Sequence, residues 1–513
     1  MTGQTGGIAR RFWAAFLALA LLLTALPGTS WTAYTDPAVA AGGYALVQVM
    51  HGAASAVAAR ATAAGATDVA ALDTIDVVTA RLSTEAARTL GSDPRVSFIA
   101  ADTVVTATGE KPHFENDDIG PPPSPALEAI DARSAWTKAT GRGVTVAIMD
   151  TGIARHADLE GSVVARVDFV HDGATSLDPG GHGTFIAGLI AAHGRTLTGV
   201  APDAKLVSLR VLDERGNGTM HSVLAAFDWL LQNRALYRIR VLNLSFGAPQ
   251  ATTYHRTLLS GVVESAWFAG VTVVAAAGND GPKAGTVTNP GADPFIITVG
   301  SLADQGTATF ADDRESRFSG RGPTLDGFIK PDVLAPGEHV TSIRLYGTSL
   351  DRTHRDPTPD GYGRLSGTSA SSAIATGVAA LVLEEHRVYS PTQVKGALVA
   401  GGRSVAGTRT PAVNAAASLS ARPARVNVGL KPSRVLLLVL QLNGQLDGRH
   451  EGQYQGQLDG SVGWGGISWE GISWESVSWE GVTWESISWE SVSWESVTWE
   501  SVTWESVTWE LYR

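Results

Sequence analysis

Four polar residues stand where apolar runs end, and their types are those of acyl-transfer chemistry. Asp150 follows Val144–Met149 in Asp150-Thr151-Gly152, and His182 lies in Gly181-His182-Gly183-Thr184. Asn279 follows Val271–Ala276 in Gly278-Asn279-Asp280, and Ser369 lies in Ser366-Gly367-Thr368-Ser369-Ala370 at the head of a long apolar stretch. Cutting a peptide bond with a serine needs a hydroxyl nucleophile, an imidazole to take its proton, a carboxylate to orient the imidazole, and donors for the oxyanion. Each residue also has a plainer reading. Asp before Thr-Gly and Asn-Asp-Gly are turn signals, and a histidine between glycines is an ordinary loop residue. A serine at a helix start is an N-cap. The plain readings do not account for one of each part, in the order Asp, His, Ser, each at an element boundary.

The elements that must position them follow from hydrophobic periodicity. Val144–Met149, Leu206–Leu212, Val241–Leu244, Val271–Ala276 and Ile296–Val299 read as buried strands. Thr184–Ala192, Met220–Arg234, Tyr254–Ala269 and Ser371–Glu385 read as helices between and after them. Such alternation over 126–420 predicts a doubly wound, mostly parallel sheet with helices on both faces. Ligands bind such sheets at the carboxyl ends of the strands, where the four residues fall. A smaller unit precedes it. Tyr44–Met50 and Ile75–Leu82 read as strands and Ala53–Ala64 as a helix. Ser83 caps a helix over Thr84–Leu90, Val96–Ala100 and Thr103–Thr106 are strands, and there is room for a strand near 66–72. This order suggests a split βαβ, ferredoxin-like α+β domain.

With these pieces in place the second region resembles the subtilisin-like serine proteases. The matching stretches are AIMDTGI (147–153), GHGTFIAGLIAA (181–192), GVAPDAKL (199–206), LNLSFG (242–247), VVAAAGNDG (273–281), FSGRGP (318–323), KPDVLAPG (330–337) and SGTSASSA (366–373). They are collinear from 147 to 373, and the chain order is one that a serine protease fold uses. The resemblance implies Asp150 as orienting carboxylate, His182 as base then acid, Ser369 as nucleophile, and the Asn279 side chain with the Ser369 N–H as oxyanion hole. It implies that Ser245, Phe246 and Gly247 pair with an extended substrate. The other wall of the S1 pocket would come from Ala275–Ala277, with Ala276, Gly278 and Thr288 lining it. It also implies that residues 42–108 are a propeptide, a folding helper and temporary inhibitor whose end near Val104–Thr108 lies in the active site and is cut there. Residues 109–125, rich in proline, would be a linker.

The chain departs from the family in five places. Ala370 follows the nucleophile where methionine is usual, which removes an oxidation target, and Ala373 replaces a proline. Thr288 stands where many relatives have glycine, which predicts a shallow S1 pocket and a preference for small or medium apolar P1 residues. The loop His193–Thr198 lacks the Asn-rich run of the family's strong calcium site, so a structural calcium ion is not indicated, and catalysis is expected to need no cofactor. Residues 341–364 are longer than usual and read as an inert surface insertion that must lie near Ser369. The loop carboxylates Asp172, Asp178, Asp213 and Glu214 read as solvated.

Composition bounds the rest. A formal net charge of −11 argues against a nucleic-acid partner. The absence of cysteine excludes disulfides, thiolate metal sites and cysteine nucleophiles. Arg10-Arg11 before the apolar run Phe12–Leu26 reads as an export signal within 1–41, too short for a membrane span, which predicts a secreted protein. Residues 421–465 are a Gly/Gln-rich linker. From Gly466 a five-residue repeat of the form Ser-Val-Ser-Trp-Glu runs to Glu510. Its period suits neither a one-faced strand nor an amphipathic helix. Spaced indoles suggest attachment to cell wall or another polymer. The leading expectation is a secreted, self-processing serine endopeptidase acting on protein or peptide substrates. The alternative is a surface-binding protein whose protease-like domain is inactive or cuts only itself.

Overall fold

The structure is a computed structural model describing residues 43–108, 125–353 and 361–433, with 34–35, 39 and 436. Most of the 1–41 export segment, most of the 109–125 and 421–465 linkers and the repeat tail lie outside the described residues. The chain divides into two compact units between residues 103 and 104.

In the first unit β1 (Tyr44–Val49), α1 (Ala54–Ala63), β2 (Thr67–Leu72), β3 (Val77–Arg81), α2 (Thr84–Gly91) and β4 (Val96–Ala101) follow in order. The strands lie in the order β4-β1-β3-β2, all antiparallel, the ferredoxin-like arrangement. Alternate residues of the strands and the alanine face of α1 close one core around Val47, Val57, Val78, Leu90 and Ile99. Ser83 caps α2 by accepting the Ala86 N–H at 3.1 Å.

The second unit opens with a short strand, β5 (Val104–Ala107), that the sequence places in the propeptide; its strand partners all lie in this unit. Next come β6 (Thr145–Asp150), β7 (Val163–Asp168), α3 (His182–Ala191), β8 (Lys205–Arg210), β9 (Asn217–Thr219) and α4 (Met220–Asn233). Then follow β10 (Ile239–Leu244), β11 (Phe246–Gly247), α5 (Leu258–Phe268), β12 (Thr272–Ala276), β13 (Ile297–Ala303), β14 (Arg314–Glu315) and β15 (Val333–Pro336). The last part holds β16 (Val340–Ile343), α6 (Ser349–Thr353), β17 (Tyr362–Leu365), α7 (Thr368–Glu385), α8 (Pro391–Gly401) and α9 (Ala415–Ser420). The main sheet runs β14-β13-β12-β10-β6-β8-β7, with β15 also on β13, and every pair is parallel except β13–β14. The β6 and β12 residues are buried throughout, as expected of strands covered on both faces. The whole unit is an α/β doubly wound fold of the subtilisin-like kind.

Two helices begin earlier than the apolar pattern predicts, and in both cases the reason is a distant polar partner. Helix α7 begins at Thr368 rather than Ser371. Its N-cap residue Gly367 offers no side chain; instead Asn279 Oδ1 accepts the Thr368 N–H at 3.0 Å and the Thr368 hydroxyl at 2.9 Å. Helix α3 begins at His182 after Gly181, whose φ of +87° suits glycine. Its free Thr184 N–H donates to Asp178 Oδ2 at 2.8 Å. Among the described residues no helix is long and apolar enough to cross a membrane.

Candidate active site

Asp150 is the last residue of β6 and His182 the first of α3. The His182 Nδ1 lies 2.8 and 3.0 Å from the two Asp150 oxygens, and Asp150 is fully buried. The Thr151 N–H donates to Asp150 Oδ1 at 2.7 Å, so the carboxylate is held from its own strand end as well. A carboxylate on Nδ1 leaves Nε2 as the nitrogen that can take a proton.

Asp178 is the main feature that the sequence misjudged. It reads as a solvated loop carboxylate, yet it is fully buried. It accepts from Thr151 Oγ1 (2.7 Å), Gly181 N–H (2.7 Å), Thr184 N–H (2.8 Å) and Thr184 Oγ1 (2.6 Å). Burial pushes its carboxyl up, against the pull of these four donors. The residues it ties together flank Asp150 and His182 on both sides. Composition gave no signal for this, because the donors lie in two separate segments, the turn after β6 and the head of α3. Asp172 is likewise engaged, by a bidentate contact to Arg210 at 3.0 and 2.5 Å.

Ser369 is the second residue of α7, fully buried, and does not cap the helix. Below it a hydrogen-bonded row joins Ser372, Ser245, Asn243 and Thr376, and Ser372 Oγ donates to the Ser369 carbonyl at 2.8 Å. These contacts fix the first turn of α7 against the end of β10. Asn279 holds the same turn through its oxygen, as above. That leaves its Nδ2 free to aim across the cleft, where it donates to the Thr108 carbonyl oxygen. A Cβ built on Gly367 would lie 3.3 Å from each of Asn279 Nδ2, Ser369 Oγ and the Thr108 carbonyl oxygen. The Thr108 carbonyl oxygen, the Ser369 hydroxyl and the Asn279 amide thus border the same small space over Gly367.

The residues leading to Thr108 lie as an extended strand between two edges. On one side Phe246 pairs with Ala107 and Gly247 with Thr106, and the Thr108 N–H donates to Ser245 O at 2.9 Å. On the other, Asn217, Gly218 and Thr219 pair with Thr106, Val105 and Val104, and the Ala107 N–H donates to Gly216 O at 2.8 Å. The first edge contains Ser245, Phe246 and Gly247, as the resemblance implies. The second was missed. Its one signal was the Gly-Asn-Gly run before the cap residue Thr219, which reads as a plain turn. Alternation sets the exposure: Val105 is buried while Val104 is 63% exposed.

A slot lined by small residues forms after β12. Ala276 ends that strand, and Gly278 follows with φ +97°. A Cβ on Gly247 would lie 2.5 Å from Thr288 Oγ1, and one on Gly278 would lie 2.9 Å from Thr288 Cγ2. The Thr288 side chain therefore occupies the space between two bare glycine walls. Its hydroxyl and that of Thr108 are both buried without a hydrogen bond.

The insertion packs on the framework of the site. β16 and β17 form an antiparallel hairpin carrying α6. Leu350 N–H donates to Gly180 O at 3.0 Å, and Ser342 Oγ donates to Phe185 O at 2.6 Å. A Cβ on Gly181 would meet Thr348 Oγ1 at 2.5 Å. The hairpin thus packs on the turn that carries His182, because β17 leads straight into α7. Among the described residues no group of three or more His, Cys, Asp or Glu could hold a metal ion.

The subtilase family model matches residues 141–416 of this chain. The chain belongs to the subtilase family. It is thereby a subtilisin-like serine protease by sequence. It is 38% identical over 266 residues to the serine protease AprX of Bacillus subtilis, a match covering 50% of this chain and 60% of that protein. It is 32% identical to the M-protease of Shouchella clausii, covering 63% of this chain and 73% of the relative. It is 34% identical to thermitase of Thermoactinomyces vulgaris, covering 59% and 94%. Among solved structures, fervidolysin from Fervidobacterium pennivorans, a keratinolytic enzyme related to subtilisin, superposes with a TM-score of 0.61 at 23% identity, over 79% of this chain and 66% of that one.

Proposed function

We propose that this chain is a secreted serine endopeptidase made as a zymogen, and that it cuts its own chain after Thr108. The observation that carries this is the Thr108 carbonyl, held by Asn279 beside Ser369 at the end of a strand paired on both sides. Ser369 Oγ adds to the Thr108 carbonyl carbon while His182 Nε2 takes the hydroxyl proton. Asp150 steadies the imidazolium through Nδ1. The charge that forms on the Thr108 oxygen is met by Asn279 Nδ2. The C–N bond to Gly109 then breaks, His182 returns the proton to the leaving amine, and water releases Thr108 from the acyl-enzyme. Every group in this sequence is a protein group, so the bond-breaking step needs no cofactor.

Export is supported by the basic and apolar pattern at the N-terminus and by relatives named as extracellular, among them the extracellular serine proteinase of a Thermus strain. The repeat tail is proposed to meet cell-wall or other polymer surfaces through its spaced indoles; loss of that binding on truncation after Gly460 is the expected result, and unchanged binding refutes it. The central test is to express the wild type and Ser369→Ala and sequence the N-terminus of each product. A new terminus at Gly109 in the wild type alone is expected. The same uncut chain from both, or the same cut in both, overturns the proposal.

A further inference from the structure

On the far side of the second unit, at the amino ends of β6, β10 and β12, lies a cleft of ≈660 Å³ with five arginines among its lining residues. They are Arg142, Arg234, Arg238, Arg240 and Arg387, against Glu384 as the one acidic lining residue. Glu384 is already used: its Oε2 accepts the N–H groups of Thr140, Gly141 and Arg142 at 2.7 to 2.8 Å. Arg142 pairs loosely with Asp203 at 3.2 Å. Arg240 donates to the carbonyls of Arg387 and Tyr389, and Arg234 to that of Leu231. Among the described residues, Arg234, Arg238, Arg240 and Arg387 form no ion pair with a carboxylate. One apolar side chain of the lining stands out beside these arginines, Val388 at 90% exposure. Concentrated cations with exposed apolar neighbours are a costly surface unless something covers them.

The catalytic chemistry, at the opposite ends of the strands, makes no use of this cleft. The sequence supplies a complement. Residues 461–513 hold nine glutamates, one arginine and ten of the chain's 15 tryptophans, with an indole directly before each glutamate. Guanidinium groups take both partners: carboxylates by paired hydrogen bonds, and indole faces by stacking. The place where the described chain ends fits as well. The Ser433 N–H donates to both oxygens of Glu264 on α5, and that helix runs on to Trp267 and Phe268, which line the cleft. Four helical residues rise about 6 Å. From Leu436 to Trp469 is a Gly/Gln-rich stretch; a random chain of that length and composition spans on the order of 30 Å, ample to return the first repeats to the cleft at high effective concentration.

We infer that the arginine cleft is the docking site of this chain's own Trp-Glu repeat tail. Each repeat lays an indole over a guanidinium and its carboxylate beside another, and the exposed Val388 covers an indole edge. The docked tail is held mainly by charge, so salt releases it.

The test uses the full chain carrying Ser369→Ala, so that it cannot digest its own tail, and a glutamate-specific protease as probe. The readout is the rate at which the C-terminal repeats are lost, followed by mass spectrometry. At low salt the tail is expected to be cut about tenfold more slowly than in the same chain carrying Arg238→Glu and Arg387→Glu, two exposed positions whose exchange leaves the fold intact. At about 1 M salt the two should be cut alike. An unchanged melting temperature of the charge-reversed chain shows that the difference comes from docking. Equal rates at low salt overturn the inference, as does protection that survives the charge reversal. Protection that rises with protein concentration also overturns it, since the tail would then sit on a second copy.

Discussion

The S1 slot gives the sharpest quantitative expectation. Thr288 is the side chain that separates Gly247 from Gly278, with its hydroxyl 2.5 Å from where a Gly247 Cβ would be. Replacing it by glycine removes three heavy atoms from the floor of the slot, and the walls already carry no side chains. Each methylene-sized change in an apolar pocket shifts discrimination by about 1–3 kcal/mol, or 10–200-fold. An aromatic P1 ring buries roughly 150–250 Å² when it is accommodated. The wild type should therefore cut a peptide ending Val-Thr-Ala-Thr at P1 better than its Val-Thr-Ala-Phe counterpart. Thr288→Gly should reverse that order, with a swing of about 100-fold in the kcat/KM ratio. The assay is steady-state hydrolysis of the two peptides by both enzymes, each matured and active-site titrated. A wild type that prefers Phe at P1, or a Thr288→Gly enzyme with an unchanged ratio, refutes the assignment of Thr288 to the floor of the slot.

Three further expectations follow from particular contacts. Asp178→Ala strands the Thr151 hydroxyl and the Gly181 and Thr184 N–H groups, so it should cost about 2–4 kcal/mol of stability and at least tenfold in kcat; calorimetry and kinetics on the purified variant check this, and changes within twofold sink it. Glu264 and Asp293 are buried together, and desolvation pushes both up, Asp293 to about 6. Carboxyls whose folded values are raised stabilise the fold below their unfolded values near 4, and that contribution is lost as pH climbs through the folded values. Glu264→Gln should therefore match the wild type at pH 4–5 and gain melting temperature over it by pH 8, by an amount equivalent to about 1–3 kcal/mol; a constant difference across that range counts against it. With Ala370 beside the nucleophile and Met149 and Met220 buried, activity should survive mild peroxide that oxidises exposed methionines, and rapid loss would show another oxidisable group at the site.

What was legible in the sequence is whatever depends on neighbours along the chain. Apolar runs of strand length, bounded by glycine and turn residues, marked β6, β10 and β12 and therefore the places where Asp150, Ser245 and Asn279 fall. Alternation and the cap at Ser83 marked the first unit, down to the strand inferred near 66–72. The subtilase motifs are contiguous, so they too could be read without a fold. Tertiary structure alone decided the interactions that span the chain. Asn279 caps a helix that begins 89 residues later, which is why α7 starts before its apolar pattern and why Ser369 is not its cap. Asp178 is buried because the turn after β6 and the head of α3 converge on it, and a solvated and a buried aspartate have the same letter. The wall at Gly216–Thr219 exists only once β5 lies along it, and the 341–364 insertion acquires a role only because it folds onto the turn before His182. Periodicity records which face of an element avoids water; it carries no record of which distant donor finds which acceptor. Those pairings fix the geometry of this site.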